Sequence, residues 1–425
     1  MLNLSLGKKT AKDISKSEDE EGEDEDAIDK TKNSKEPKKP YALQRPPNTA
    51  LRQQRLKAWH PILSHSTVLP LFFGLGIFFA VLGGVMYSAS LHVNEMTIQY
   101  SKCQTEAPRD GSFAVLPPKY YSYHFKDQNK IPEDQRPQWT VAEIPHLPGH
   151  ENNPARFRCT LHFTVPQDLE PGVFLYYKLT NFYQNHRRYM KSMDFPQLLG
   201  NVRTAKELQD STCKPLGQDP VTGKAVYPCG LVANSVFNDT FQSPQLLGPD
   251  QQAISTYNMS EKNIVWPDEW KHYKPTQMNA SDIVPPPFWQ GAEGSQFGYP
   301  TGRYEEGNIF DPTKSEHFQV WMRTAAFPTF RKLYMRNDTA VMTAGRYAIE
   351  IEDNYPVEMF GGTKSIIIST ASWVGGRSFF IGGSHIGLAA LCFLMGIILT
   401  IKQIVRPRRV GDSSYLSWNN PRAQR

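Results

Sequence analysis

An excess of one charge is what this 425-residue chain lacks first: 47 basic and 42 acidic residues leave only +5. So small a surplus on so long a chain gives no electrostatic footprint for nucleic acid. It also lacks a compact metal-ligand pattern. His146, His150, His162 and His186 are scattered, Pro145 and Pro148-Gly149 break the helix that would align the first two, and His150-Glu151 has no following histidine at zinc-motif spacing. There is no internal repeat and no apolar leader at the extreme N-terminus, because the first apolar block follows a polar tail of more than 60 residues. A retained membrane helix fits that placement better than a cleavable signal peptide.

Two uninterrupted apolar blocks stand out against this background. Val68 to Tyr87 runs 20 residues without a charge, and Ser378 to Ile401 runs 24 with only His385 and the Cys392 thiol able to titrate. Each can cross a roughly 30 Å hydrocarbon layer as a helix, which excludes a freely soluble enzyme. Two spans also exclude a multi-span transporter acting alone. Arg52, Arg55, Lys57 and His60 precede the first block, while Lys402, Arg406, Arg408 and Arg409 follow the second. The positive-inside rule then sets both termini in the cytosol. The expected organisation is a disordered tail (1–50) with an acidic run and lysines, a juxtamembrane segment (51–66), a span (67–89), a lumenal or extracellular domain (90–377), a second span (378–401) and a basic tail (402–425). Trp59 and its neighbouring cations are expected among lipid headgroups.

Cysteines and sequons test this orientation. Cys103, Cys159, Cys213 and Cys229 all fall between the spans, where an oxidising compartment permits bridges, and four cysteines allow three complete pairings. Cys392, inside the second block, is expected to act as a small apolar residue. The sequons at Asn238, Asn258, Asn279 and Asn337 also lie between the spans and are the expected sites of N-linked glycans, whereas Asn3 lies in the tail. Gly76, Ala80 and Gly84 recur every four residues in the first span, as Gly383 and Gly387 do in the second. Such smooth stripes allow helices to pack on each other or on a larger membrane partner.

Between the spans, 33 prolines and 29 glycines across the chain favour turns over a helical bundle. Phe157–Val165, Val173–Leu179, His317–Met322, Arg346–Ile351 and Ser365–Ser369 read as short strands. The fold class expected is a β-rich ectodomain on two transmembrane helices, antiparallel and sandwich-like, with long loops. From Phe241 to Gly307 the pattern is irregular and aromatic, as in loops packed on a core.

Catalytic signals are weak. Gly361-Gly362-Thr363-Lys364-Ser365 lacks the glycine spacing of a phosphate loop, and Glu305-Glu306 and Glu350-Glu352 have no identifiable partner across a cleft. The densest polar stretch runs from Leu179 through Asn181, Phe182, Tyr183, Gln184, Asn185, His186, Arg187 and Arg188 to Tyr189. It reads equally as a core-and-turn segment or as a polar network at a protein interface. A second cluster surrounds Trp321, Arg323 and Arg331, where the arginines suit either an inter-subunit pair or an intradomain network. Neither cluster supplies a nucleophile, base and orienter.

Taken together, these motifs resemble the non-catalytic accessory subunit of type-IV P-type ATPases, the lipid flippases, and in particular the fungal ligand-effect-modulator (cell-division-control-fifty) family. The likeness spans Gln53 to about Val405 and rests on Gln53–Trp59, Leu179–Tyr189, Pro228–Ser235 with Phe237–Thr240, Trp321–Ala325 with Pro328–Tyr334, Asn354–Val357 and Gly362–Ser365. Lys57 departs from it, since many members carry proline there. The resemblance implies a distorted antiparallel β-sandwich, the bridges Cys103–Cys159 and Cys213–Cys229, and a glycan at Asn238 foremost. It further implies a 1:1 heterodimer with a ten-helix ATPase that moves phospholipid toward the cytosolic leaflet, no cofactor, and transit through the endoplasmic reticulum to Golgi, endosomal or plasma membrane. The competing expectations are a lumenal or cell-surface ligand-binding receptor and, more distantly, an anchored carbohydrate hydrolase.

Overall fold

The computed structural model describes residues 48–56, 64–126, 131–146, 155–292 and 295–407. The acidic run, Trp59, His150 and the last 18 residues lie outside these. Residues 48–56 form a turn of their own, closed by the Arg55 amide on the Ala50 carbonyl at 2.7 Å.

Both apolar blocks are helices, His65–Leu91 and Phe379–Val405, each of 27 residues. At 1.5 Å per residue each spans about 40 Å, enough to cross a bilayer with some tilt. Pro70 sits in the second turn of its helix, so the one intrahelical bond it forfeits, to the Ser66 carbonyl, lies near the helix end. The helices pack antiparallel, with Tyr87 against Phe379 (5.0 Å between rings) and Phe73 against Phe393 (6.2 Å). Their close approach does not follow the four-residue stripes. A Cβ on Gly83 would meet the Ile386 backbone at 2.9 Å, one on Gly382 would meet Tyr87 at 2.7 Å, and Gly76 and Gly396 each face a ring at 3.1 Å. Around Gly84, Gly383 and Gly387 nothing lies within 4 Å, and Ala80 is only half-buried. Four residues turn a helix through about 400°, so a four-residue stripe drifts around it, while the seven-residue spacing of Gly76, Gly83 and Ser90, and of Gly382, Ala389 and Gly396, holds one seam. Cys392 is buried in that seam.

The domain between the helices is built on two antiparallel sheets. One has five strands in the order Phe330–Asn337, Val173–Leu179, Lys364–Ser369, Glu95–Gln99 and Tyr121–His124. The other runs Ala253–Thr256, Gln245–Leu247, Gly345–Asp353, Arg156–Val165, Gln138–Ile144 and Ala114–Val115, with Thr240–Phe241 also pairing on the Gly345–Asp353 strand. Strand Val173–Leu179 alternates buried and half-exposed positions, as a period of two requires, whereas every residue of the central Lys364–Ser369 is buried. One core joins the sheets, with Phe241 of the second against Tyr334 of the first at 4.5 Å between rings. The aromatic stretch after Phe241 covers that core: Trp289, Phe297, Phe310 and Phe318 meet within 4.9–6.5 Å.

The segment His317–Met322 corrects the reading of it as a strand. Glu316–Met322 is a helix in which every residue from His317 to Met322 is buried, so the apparent alternation of Phe318, Val320 and Met322 marks no single face. Its start is set locally, since the Ser315 hydroxyl accepts from the Phe318 amide at 3.2 Å and Glu316 favours the first turn.

Candidate functional site at the junction of the two sheets

The sequence motifs converge on a buried charge cluster. Lys364 opens a central strand of the five-stranded sheet and Asp353 closes the Gly345–Asp353 strand of the other, so their ion pair ties the sheets together. Lys364 Nζ also lies 2.8 Å from Asp239 and donates to the Tyr355 carbonyl at 2.8 Å. Asp239 is fully buried yet well supplied with donors: the Tyr100 hydroxyl at 2.7 Å and the Asn354 and Tyr355 amides at 2.6 Å each. Burial works against the ammonium, but Asp239 and Asp353 outweigh it and hold Lys364 above the usual lysine range. With one cation for two carboxylates, burial pushes Asp353 up to about 6, against the pull of Lys364 and with the charge of Asp239 adding. Gly362-Thr363-Lys364-Ser365 is thus a structural strand entry. A Cβ on Gly362 would meet the Thr180 carbonyl at 2.5 Å, which explains the glycine without any phosphate.

A second buried lysine solves the same problem differently. Lys332 Nζ donates to the carbonyls of Val320, Trp321 and Arg323 at 3.0, 2.6 and 2.7 Å, so it caps the C-terminal end of the Glu316–Met322 helix. Burial, with Arg323 adding, drops its pKa well below the usual range.

The Leu179–Tyr189 segment divides into an inner side packed on the domain and an outer side that is exposed. Its inner side is a clamp. Thr180 and Thr363 exchange a hydroxyl contact at 2.8 Å, Gln184 accepts from the Ala325 amide at 2.9 Å, and Asn185 donates to the Ala326 carbonyl at 2.9 Å. Asn181 adopts a left-handed φ of 58° and donates to the Phe360 carbonyl. Phe182 packs among Tyr189, Trp321, Phe330, Tyr355 and Phe360. Trp321 is fully buried and donates to the Val232 carbonyl at 2.8 Å. The outer side presents Tyr183, His186, Arg187 and Arg188, all exposed. Arg323 and Arg331 belong inside the domain: Arg323 lies 3.7 Å over the Trp266 ring and 3.9 Å from Glu269, and Arg331 pairs with Glu95 at 2.6 Å.

The two disulfides join Cys103 to Cys159 and Cys213 to Cys229, with Cα separations of 6.1 and 5.7 Å. The first pins the short helix after strand Glu95–Gln99 to the centre of the other sheet. Beside the second, Gln197 spends its whole amide, accepting from the Cys229 amide at 2.9 Å and donating to the Val226 carbonyl at 3.0 Å. Of the sequon asparagines, Asn258 and Asn279 are exposed and Asn337 is half-exposed, its carboxamide committed to Asn258, Thr339 and Ala340. Asn238 lines a cavity of about 710 Å³ beside the Lys364 cluster.

The chemistry of a hydrolase is missing from the positions weighed for it. Glu350 and Glu352 form a cross-strand ladder with Arg156 and Arg158 at 3.3–3.7 Å, and Glu305 and Glu306 are exposed. Within the cavity Asp353 is held by Lys364 and Glu358 by Lys102 at 2.8 Å. Among the described residues no set of three or more His, Cys, Asp or Glu is arranged to hold a metal ion. His162 stacks on Phe113 at 3.9 Å, and burial, with Arg346 adding, lowers it to about 4, so it stays neutral. Sequence reasoning missed Lys364, Asp239, Asp353 and Lys332. Asp239 hides as the middle residue of a sequon, and the only local signal was the recurrence of all four in or beside the quoted motifs.

The model of the LEM3 (ligand-effect modulator 3) family / CDC50 family matches residues 86–409. The chain is 39% identical to the phospholipid-transporting ATPase accessory subunit CDC50 of Chaetomium thermophilum, covering 89% of this chain and 92% of that one. It is 39% identical to the phospholipid-transporting ATPase accessory subunit CRF1 of Saccharomyces cerevisiae (88% and 89% covered), and 34% identical to cell cycle control protein 50A of Bos taurus (84% and 88%). The chain belongs to the LEM3/CDC50 family.

Proposed function

We propose that this chain is the non-catalytic accessory subunit of an ATP-driven phospholipid flippase, paired one to one with a type-IV P-type ATPase. The observation that carries the reading is the family match from residue 86 to 409, which reaches from the end of the first long helix past the second. Relatives matched over nearly their whole length bear the name of phospholipid-transporting ATPase accessory subunits. The partner hydrolyses ATP and moves phospholipid to the cytosolic leaflet; this chain supports the partner's folding, its departure from the endoplasmic reticulum and its transport cycle. A domain locked by two bridges and a buried ion cluster offers moving pump loops a surface that does not itself deform.

In this reading both tails (1–50 and 402–425) are cytosolic, segments 67–89 and 378–401 cross the membrane among phospholipids, and 90–377 is lumenal. The basic flanks, the four bridged cysteines and the placement of the sequons support it. Asn238, Asn258, Asn279 and Asn337 then carry glycans. Tyr183, His186, Arg187 and Arg188 face the partner's outer loops, and Gly84, Gly383 and Gly387, open on this chain, are free to receive a partner helix. The complex leaves the endoplasmic reticulum for Golgi, endosomal or plasma membrane. Native purification from membranes is expected to recover a stoichiometric multi-span ATPase, and deleting the chain should abolish ATP-dependent uptake of labelled phospholipid. A native particle without such an ATPase would overturn the assignment.

A further inference from the structure

We propose that the cavity beside the Lys364 cluster is the seat of this chain's own carbohydrate: the first sugars of a glycan on Asn238, folded inward as part of the core. The inference rests on the lumenal, glycosylated domain proposed above. Asn238 does not stand on an open surface like Asn258 and Asn279; it is half-buried in the wall of the 710 Å³ cavity. A sugar on its side chain would then start at the wall of that space. The carboxamide is also unspent: Oδ1 is buried with no hydrogen-bond partner, while the backbone carbonyl takes the Asn354 side chain. Asn337, by contrast, has both ends of its carboxamide committed. Sugar transfer acts on the extended chain, before burial of the asparagine could hinder it.

The cavity suits the occupant. Its volume lies within the roughly 300–1,000 Å³ of small-ligand sites. Phe288, an exposed ring in its wall, gives it an aromatic face, whose negative quadrupole attracts the polarised C–H face of a pyranose. Gln104, Gln290 and Asn354 stand in its wall with their amide nitrogens donating to backbone carbonyls, which leaves their amide oxygens to accept from sugar hydroxyls. A sugar packed there keeps water away from the side of the cavity lined by Lys364 and Asp353, where a low local dielectric strengthens their attraction. The glycan then acts as a covalently attached piece of core rather than a surface decoration.

The test follows release of each glycan by peptide N-glycosidase from the native full-length chain, alone and in its membrane complex, read by glycopeptide mass spectrometry. The glycan on Asn238 should be released at least about tenfold more slowly than those on Asn258 and Asn279, equally in both preparations, and at their rate after denaturation. Phe288→Ala, at an exposed ring outside the core, should remove the protection without lowering the yield of folded protein. An occupied Asn238 released as fast as Asn258 overturns the seat while leaving glycosylation intact. Protection found only in the complex overturns it in favour of a partner loop in the cavity. An unmodified Asn238 in the native protein overturns both the seat and its glycosylation.

Discussion

Two buried lysines, Lys364 and Lys332, sit in one domain and are stabilised by opposite means. Around Lys364 full charges face each other: two carboxylates, of which Asp239 is well supplied with further donors, keep the ammonium ionised against the cost of burial. Around Lys332 no carboxylate among the described residues makes a salt bridge; three carbonyls at a helix end take its Nζ, and burial outweighs the more distant pull of Glu269 and lowers its pKa. The first arrangement joins elements distant in the chain and leaves stranded charges if broken. The second finishes one local helix and leaves only unpaired dipoles. Position in the fold, rather than residue type, sets what each lysine does.

Removing the cation tests the difference most directly. Lys364→Met should strand two buried carboxylates and cost about 3–5 kcal/mol, read as loss of folded protein in mild detergent or a lower unfolding midpoint. Lys332→Met keeps the volume but leaves carbonyls unpaired, so it should cost less, about 1–3 kcal/mol. Equal losses for the two would break the comparison.

Acidity sharpens it further. Asp353 titrates near 6 when folded against an ordinary 3.8, so the folded state binds its proton more tightly. A group of that sign stabilises least where it is ionised only at a cost, and stability should fall by about 1 kcal/mol between pH 5 and pH 7. Unfolding midpoints of wild type and Asp353→Asn across that range should diverge, the variant being flatter; parallel curves would show that Asp353 does not titrate there. The smallest stability effect belongs to the surface: Arg187→Ala with Arg188→Ala should stay within about 0.5 kcal/mol. The same pair should nevertheless lower copurification of the ATPase, and unchanged recovery would remove these arginines from the interface.

Much of this was legible locally. Strands such as Val173–Leu179 and Ser365–Ser369 are apolar runs bounded by turn residues, and the structure extends the latter only to Lys364. The 179–189 segment announced its amides and arginines, but not which side each would take. Arg323 and Arg331 turned inward because Trp266, Glu269 and Glu95 lie beside them, and all three come from other parts of the chain. The stripes of small residues pointed to helix packing; within this chain the spacing of seven keeps the seam, while Gly84, Gly383 and Gly387 stay open.

The amino-acid order alone determined that two helices span a bilayer, since an uninterrupted apolar run either matches the hydrocarbon thickness or does not. It likewise set a bridged β-rich domain between them and, through its motifs, the family. Only the tertiary structure decided that Asp239, Asp353 and Lys364 form one cluster, that His317–Met322 coils, and that Asn238 opens into a cavity. Asp239 and Lys364 are 125 residues apart, and the free energy of a buried charge depends on what the fold brings beside it, which no short window of sequence contains.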